Sequence, residues 1–166
     1  REYAGVMAHH SLHHILDLEH VFDSVRSALT GCFCTMDMIG RNGHMRWPEV
    51  LELTQRFWNL LPDEKKKHAT LPGFEEGFYN HDCSTEAFEG IRAQDILPCL
   101  IERFGFTAFY AFGGLPDPFV GRGFGRHYDM NVDWDRNFIE LLAHLNDLLI
   151  ESGIIKPTQV YAVMTK

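Results

Sequence analysis

The chain has 166 residues, 45% of them hydrophobic and 13% aromatic, enough for one buried core and too few for two ordinary domains, so a single domain over residues 1–166 is expected. Against 15 basic residues stand 23 acidic ones, and the net charge of −8 argues against a nucleic-acid backbone or an anionic membrane as partner. No run approaches the roughly 18 apolar residues of a membrane span, and the first residues lack the order of a secretory signal, so a cytoplasmic setting is expected.

Residues 3–8 form a short, mostly apolar run without helical period, which predicts a strand covered on both faces. From Asp17 the pattern changes. Leu18, Phe22, Val25 and Leu29 fall on one face of an amphipathic helix, and Thr30-Gly31 supplies a stop because glycine readily takes the left-handed conformation. Residues 33–38 read as a second buried strand, so strand, helix and strand predict a right-handed βαβ crossover. Cys32 and Cys34 alternate there as buried thiols, and with Cys83 and Cys99 they are too few and scattered for a disulfide framework.

A polar, glycine-broken loop over residues 37–49 follows, and Pro48 sits well as a first helical residue. Val50, Leu51, Thr54, Phe57, Trp58 and Leu61 then make an apolar stripe that Pro62 ends. Lys65, Lys66 and Lys67 read as a solvated helix end beside Asp63 and Glu64. Residues 72–90 show no period, and a loop this long is read as a functional cover. Ile96, Leu97, Leu100, Ile101 and Phe104 predict a helix that begins near Asp95, where Pro98 is tolerable. Residues 106–112 predict a strand, and Gly121, Gly123 and Gly125 after it are turn glycines around Arg122 rather than a dinucleotide loop. Asp133 is expected to cap a helix bearing Phe138, Leu141, Leu142, Leu145 and Leu149. Residues 158–164 alternate, with Val160, Ala162 and Met164 on one side and Tyr161 and Val163 on the other, as a strand pairing with 106–112.

Two clusters carry candidate chemistry. His9, His10, His13 and His14 sit together at a strand end, where imidazoles can line a crevice, act as a base, bind metal or cap the backbone. The spacing of four between His9 and His13, or His10 and His14, matches a helical zinc pair, but the further ligands of a zinc pattern are missing nearby, so no metal is assigned. Arg41, Asn42, His44 and Arg46 follow the second strand, where ligands of open α/β sheets bind. Arginine there offers a planar fork for a carboxylate or phosphate. The competing reading is that Asp37, Arg41 and Arg46 form ion pairs that hold the loop. A triad of Ser84, His81 and Asp82 is disfavoured, since adjacent residues rarely converge in that geometry.

A strand, a turn ending in Leu12-His13-His14, a helix, a glycine and an apolar strand ending in Asp37 resemble the second half of a class I S-adenosylmethionine-dependent methyltransferase. Asp82-Cys83-Ser84-Thr85-Glu86 and Gly90-Ile91-Arg92-Ala93-Gln94-Asp95 resemble a bacterial subgroup of that family. The resemblance implies an α/β fold, a partial Rossmann-like sheet holding strands 4-5-7-6 of the family order 3-2-1-4-5-7-6, with the last strand antiparallel and helices flanking. The family's acidic-x-Gly-x-Gly-x-Gly loop and acidic ribose-binding residue have no counterpart in these residues.

By the resemblance, His9, His10, Ser11 and Leu12 bind S-adenosylmethionine, and His13 or His14 serves as general base near the methyl group. Arg41, Asn42, His44 and Arg46 would face a small-molecule acceptor, with residues 72–90 as a cover. The family's strand 4 is normally central, so the chain is expected to self-associate or to need a missing N-terminal half, as a fragment or one part of a split enzyme. The rivals are a non-catalytic assembly or binding module that retains the half-fold and, more remotely, a histidine-rich metal-dependent hydrolase.

Overall fold

In the computed structural model, which describes residues 1–121 and 123–166 and all their side chains except those of Glu86 and Ala87, the first strand, β1, runs over Tyr3–His9. Arg122, at the centre of the glycine-rich turn, lies outside the described residues. A single 3-10 turn over Leu12–His14 leads to helix α1, Leu18–Ala28. Asp17 caps α1 by accepting a hydrogen bond from the amide of His20 at 3.0 Å, and Leu18 and Phe22 face the core. The expected glycine stop is corrected. Leu29 is already extended, at φ −79° and ψ 132°, and opens the second strand, β2, Leu29–Met38. Gly31 lies inside that strand for a different reason: the β1–β2 register shifts there, and a Cβ would collide with the carbonyl oxygen of Ala4.

The remaining elements are α2 (Pro48–Leu60), α3 (Ser84–Ala87), α4 (Ala93–Ile101), β3 (Gly105–Phe112), α5 (Asp117–Val120), α6 (Asp133–Glu151) and β4 (Gln159–Thr165). Helix α4 starts before Asp95, so Pro98 lies within it rather than in a permissive first turn. What offsets the proline is the anchoring of its start: the side-chain oxygen of Asn42 accepts from the Gln94 amide at 3.2 Å, and Arg92 pairs with Asp95 at 2.9 Å. Val132 occupies the cap position of α6, and Asp133 is its first helical residue, paired with Arg136.

The chain divides into two compact units, one of Arg1–Met45, His81–Phe112 and Pro157–Lys166, the other of Arg46–Asn80 and Gly113–Lys156. The first is α/β, built on a mixed open sheet of order β1-β2-β4-β3 among the described residues. β1 and β2 are parallel, while β4 runs antiparallel to both β2 and β3. One face packs on α1 and α4 through Leu18, Phe22, Phe33, Ile96, Leu100 and Met164. Burial alternates along β4, where Val160, Ala162 and Met164 point inward. β1, by contrast, is not covered on both faces as its apolar composition predicts. It is the edge of the sheet, and on the outer face Met7 is 78%, Tyr110 62% and Tyr161 45% exposed.

Within this unit Arg92 also clamps α1 to α4, donating to both carboxylate oxygens of Glu19 at 2.7 Å and to the carbonyl of Leu16 at 2.7 Å. The Arg92 hydrogen bonds hold the Glu19 carboxyl down at about 2. Because that value lies below the ordinary one, the clamp's contribution is present above the ordinary carboxylate range and fades as pH falls toward 2. In Arg92→Ala, carboxyl-detected NMR should find the Glu19 titration moved up from about 2 toward its ordinary value of 4.5, and an unchanged titration would show that Arg92 is not the cause.

The second unit surrounds Trp58, Leu61, Phe74, Leu115, Phe119, Phe124 and Leu142. Within the segment read as a cover, Phe74 and Phe78 join this core: Phe74 is buried, and Phe78 packs on Trp58 at a ring separation of 5.4 Å. Nor is the lysine run a plain solvated helix end. Lys65 turns inward to the Asp135 carboxylate at 2.6 Å and the His127 carbonyl at 2.7 Å, because Asp135 is itself buried and needs a cation. Among the described residues no helix is long and apolar enough to cross a membrane.

Candidate functional site

Because β1 and β2 are parallel, their carboxyl ends lie side by side, with His9 opposite Met36. The ladder ends as the His10 amide donates to the Met36 carbonyl at 2.9 Å, and His10 turns the chain at a left-handed φ of 44°. Asp37, on the covered face of β2 with Phe33 and Thr35, receives that turn. One of its carboxylate oxygens accepts from the amides of Ser11 and Leu12, both at 2.8 Å; the other accepts from Met38 at 2.9 Å and meets His13 Nδ1 at 2.5 Å. Burial works to raise the Asp37 pKa, but the His13 hydrogen bond and then the three amides outweigh it and hold the carboxyl below its ordinary value. A carboxylate can only accept, so Nδ1 of the buried His13 carries the proton and Nε2 is its acceptor atom.

Two loops complete the site. Gly43 and His44 adopt φ of 66° and 56°, and across from them Phe88 and Gly90 adopt 57° and 65°. Gly43 admits no side chain, since a Cβ would overlap the Asp82 carboxylate. Backbone bonds run from the Gly43 amide to Gly90 at 2.9 Å, from Cys83 to Gly43 at 3.0 Å, and from Ile91 to the His13 carbonyl at 3.1 Å. These bonds fix Glu89 among three imidazoles: its Oε2 lies 3.1 Å from His44 Nε2, 3.5 Å from His13 Nε2 and 3.8 Å from His14 Nε2. Partial burial raises the Glu89 pKa, yet the His44 hydrogen bond and the charges of His14, His44 and His13 bring it below the ordinary value. His14 Nδ1 faces the carbonyl of Phe88 at 3.1 Å, so it too carries its proton on Nδ1.

His13, His14 and His44 are thus brought together. The rings of His9 and His10 are exposed and meet edge to face at 4.7 Å, with His10 6.3 Å from His13. With His9 in a strand and the following turn a single 3-10 one, the spacing of four between these histidines is not that of a helical pair. Ser11 and Leu12 contribute their amides, and the Leu12 side chain is buried in the core. Arg41 helps hold the Asp82 carboxyl down, behind the hydrogen bonds from Ser84 and the charge of His81, while Asn42 caps α4. In the competing reading of ion pairs that hold the loop, the Asp37 carboxylate is taken up by His13 and the turn amides. Arg46 falls in the second unit, where it pairs with Asp117 at 3.2 Å and its amide bonds Asn80 at 2.7 Å. Ser84 donates to Asp82 at 2.6 Å in a local turn at the start of α3 rather than in a triad.

Sequence reasoning missed Asp37 as the group that orients His13, and missed Glu89 altogether. For Asp37 a signal exists: an acid inside an apolar strand must be paired when buried. Glu89 has none beyond the neighbouring Gly90. No protein-family model matches this chain, and no curated protein matches it.

Proposed function

We propose that this chain takes part in S-adenosylmethionine-dependent methyl transfer to a small-molecule acceptor, in the cytoplasm, as part of a larger or split enzyme. The observation that carries the reading is the sheet itself: the order β1-β2-β4-β3, with β1 and β2 parallel and β4 reversed, has the order and directions of strands 4-5-7-6 in that family, with the histidine turn at the carboxyl end of its first strand. The open edge of β1 and the uncovered Met7, Tyr110 and Tyr161 are where the family's remaining strands and helices would lie.

S-adenosylmethionine would supply an electrophilic methyl group on a sulfonium. His13 Nε2 would take up the proton that an acceptor gives up when it is methylated. Asp37 makes that transfer effective by fixing the tautomer and by stabilising the imidazolium that results. His9, His10, Ser11 and Leu12 would run along the cofactor, His14 would flank the base, and Arg41, Asn42 and His44 would meet the acceptor.

The same exposed edge favours a second reading, a non-catalytic assembly module. One experiment separates the two: calorimetric titration of S-adenosylmethionine and a methylation assay over small hydroxylated and amine acceptors, on the chain and on its complete gene product, with light scattering of the same samples. Methyl transfer predicts turnover by the complete product that falls about 10²- to 10⁴-fold in His13→Ala. Association without cofactor binding in either sample would leave assembly as the function.

A further inference from the structure

We propose that His13, His14 and Glu89 form a binding site for a divalent transition-metal ion of the zinc or iron(II) class. The three donor atoms, the two Nε2 nitrogens and a Glu89 carboxylate oxygen, lie within 4.8 Å of one another. A tetrahedral ion with bonds of about 2.0–2.1 Å sets its ligands roughly 3.3 Å apart. The Glu89 oxygen is already 3.5 Å from His13 Nε2 and 3.8 Å from His14 Nε2, so closure onto an ion needs only side-chain adjustment.

The tautomers argue further. His13 gives its Nδ1 proton to Asp37 and His14 gives its own to the Phe88 carbonyl, so both Nε2 atoms present lone pairs toward a carboxylate that also has only lone pairs. With these imidazoles neutral, His44 Nε2 donates to the Glu89 oxygen while His13 and His14 bring only lone pairs, and a cation between the three ligand atoms satisfies them together. Asp37 behind His13 is the carboxylate–histidine arrangement that aligns a metal ligand and raises its basicity. His44 Nε2, 3.1 Å from the same Glu89 oxygen, steers the third ligand. Two histidines with one carboxylate leave coordination positions open, the ligand set of non-haem iron(II) and of hydrolytic zinc sites. His14 and Glu89 are partly exposed while His13 is buried, so an ion has a path in from solvent. An ion there uses the Nε2 lone pair of His13, and a proton-accepting role for His13 is therefore an alternative at the same atom.

The competing cation is a proton shared between an imidazole and Glu89, and metal titration tells them apart. Full-length chain is titrated with Co²⁺, followed by its visible absorption, and with Zn²⁺ by competition and calorimetry. One ion per chain is expected, with affinity reduced more than about tenfold by His14→Ala and by Glu89→Gln, and about 10- to 100-fold by Asp37→Asn. His144→Ala, on helix α6 of the second unit, should bind as the parent does. His14 and Glu89 are surface groups, so their variants keep the fold, as far-ultraviolet circular dichroism will check. Binding no tighter than that of a His14→Ala/Glu89→Gln double variant overturns the site. No cofactor or acceptor enters the measurement, so its failure leaves methyl transfer standing, and absent turnover leaves the metal site standing.

Discussion

Asp37→Ala should lower the stability of the chain by about 3–5 kcal/mol, because it leaves several donors of the histidine turn without their acceptor. The size follows from what is left behind. Four donors converge on the Asp37 carboxylate: His13 Nδ1 and the amides of Ser11, Leu12 and Met38. Alanine deprives all four; the His13 and Leu12 donors are buried with Asp37, while those of Ser11 and Met38 are partly open to water. Asp37→Asn keeps the shape but turns an NH₂ group toward either His13 and Met38 or Ser11 and Leu12, so a loss of about 1–3 kcal/mol is expected. Urea unfolding monitored by circular dichroism measures both. The pH dependence carries a sign. Because Asp37 titrates below its ordinary value of 3.8, its contribution is intact above that value and is lost as pH falls beneath it, so the parent should lose stability there faster than Asp37→Asn. If Asp37→Ala unfolds within about 1 kcal/mol of the parent, the carboxylate does not hold the histidine turn.

How much of this was legible in the sequence depended on whether the pattern was local. Leu18 and Phe22 on α1, and Val160, Ala162 and Met164 on β4, follow from period alone, because each element has one face on the core. The exposure of β1 was not legible. Its composition is that of a strand buried on both sides, and only the sheet order reveals that neither a further strand nor a second helical layer covers it among the described residues. Helix α4 shows tertiary bonds overriding propensity, since Asn42 and Arg92 fix its start and carry it through Pro98. At the site, the histidine turn and His44 announce themselves by composition. Glu89 reaches them across 45 or more residues through loop bonds between Gly43, Gly90, Ile91 and His13, which no spacing rule anticipates.

Trp58→Ala should cost about 3–5 kcal/mol through lost burial and the cavity it leaves. Trp58 is 1% exposed, and its ring lies 4.8 Å from Phe124, 5.4 Å from Phe78 and 6.2 Å from both Phe74 and Phe119. Each such aromatic pair adds about 0.5–1.5 kcal/mol beyond area, and Nε1 donates to the Phe74 carbonyl at 2.8 Å. Trp58→Phe isolates part of that sum: most of the apolar contact survives, while the Phe74 carbonyl loses its donor, so about 1–3 kcal/mol is expected. The consequence reaches beyond one side chain. Phe74, Phe78 and Phe124 lie in segments without helix or strand, and Trp58 is the ring that all three pack on. Hydrogen exchange should therefore accelerate in Trp58→Ala at the amide of Gly77, bonded to Phe74, and at that of Ala69, bonded to Gly123. Protection unchanged at both amides would mean that these turns hold themselves, and that Trp58 fills the core without organising it.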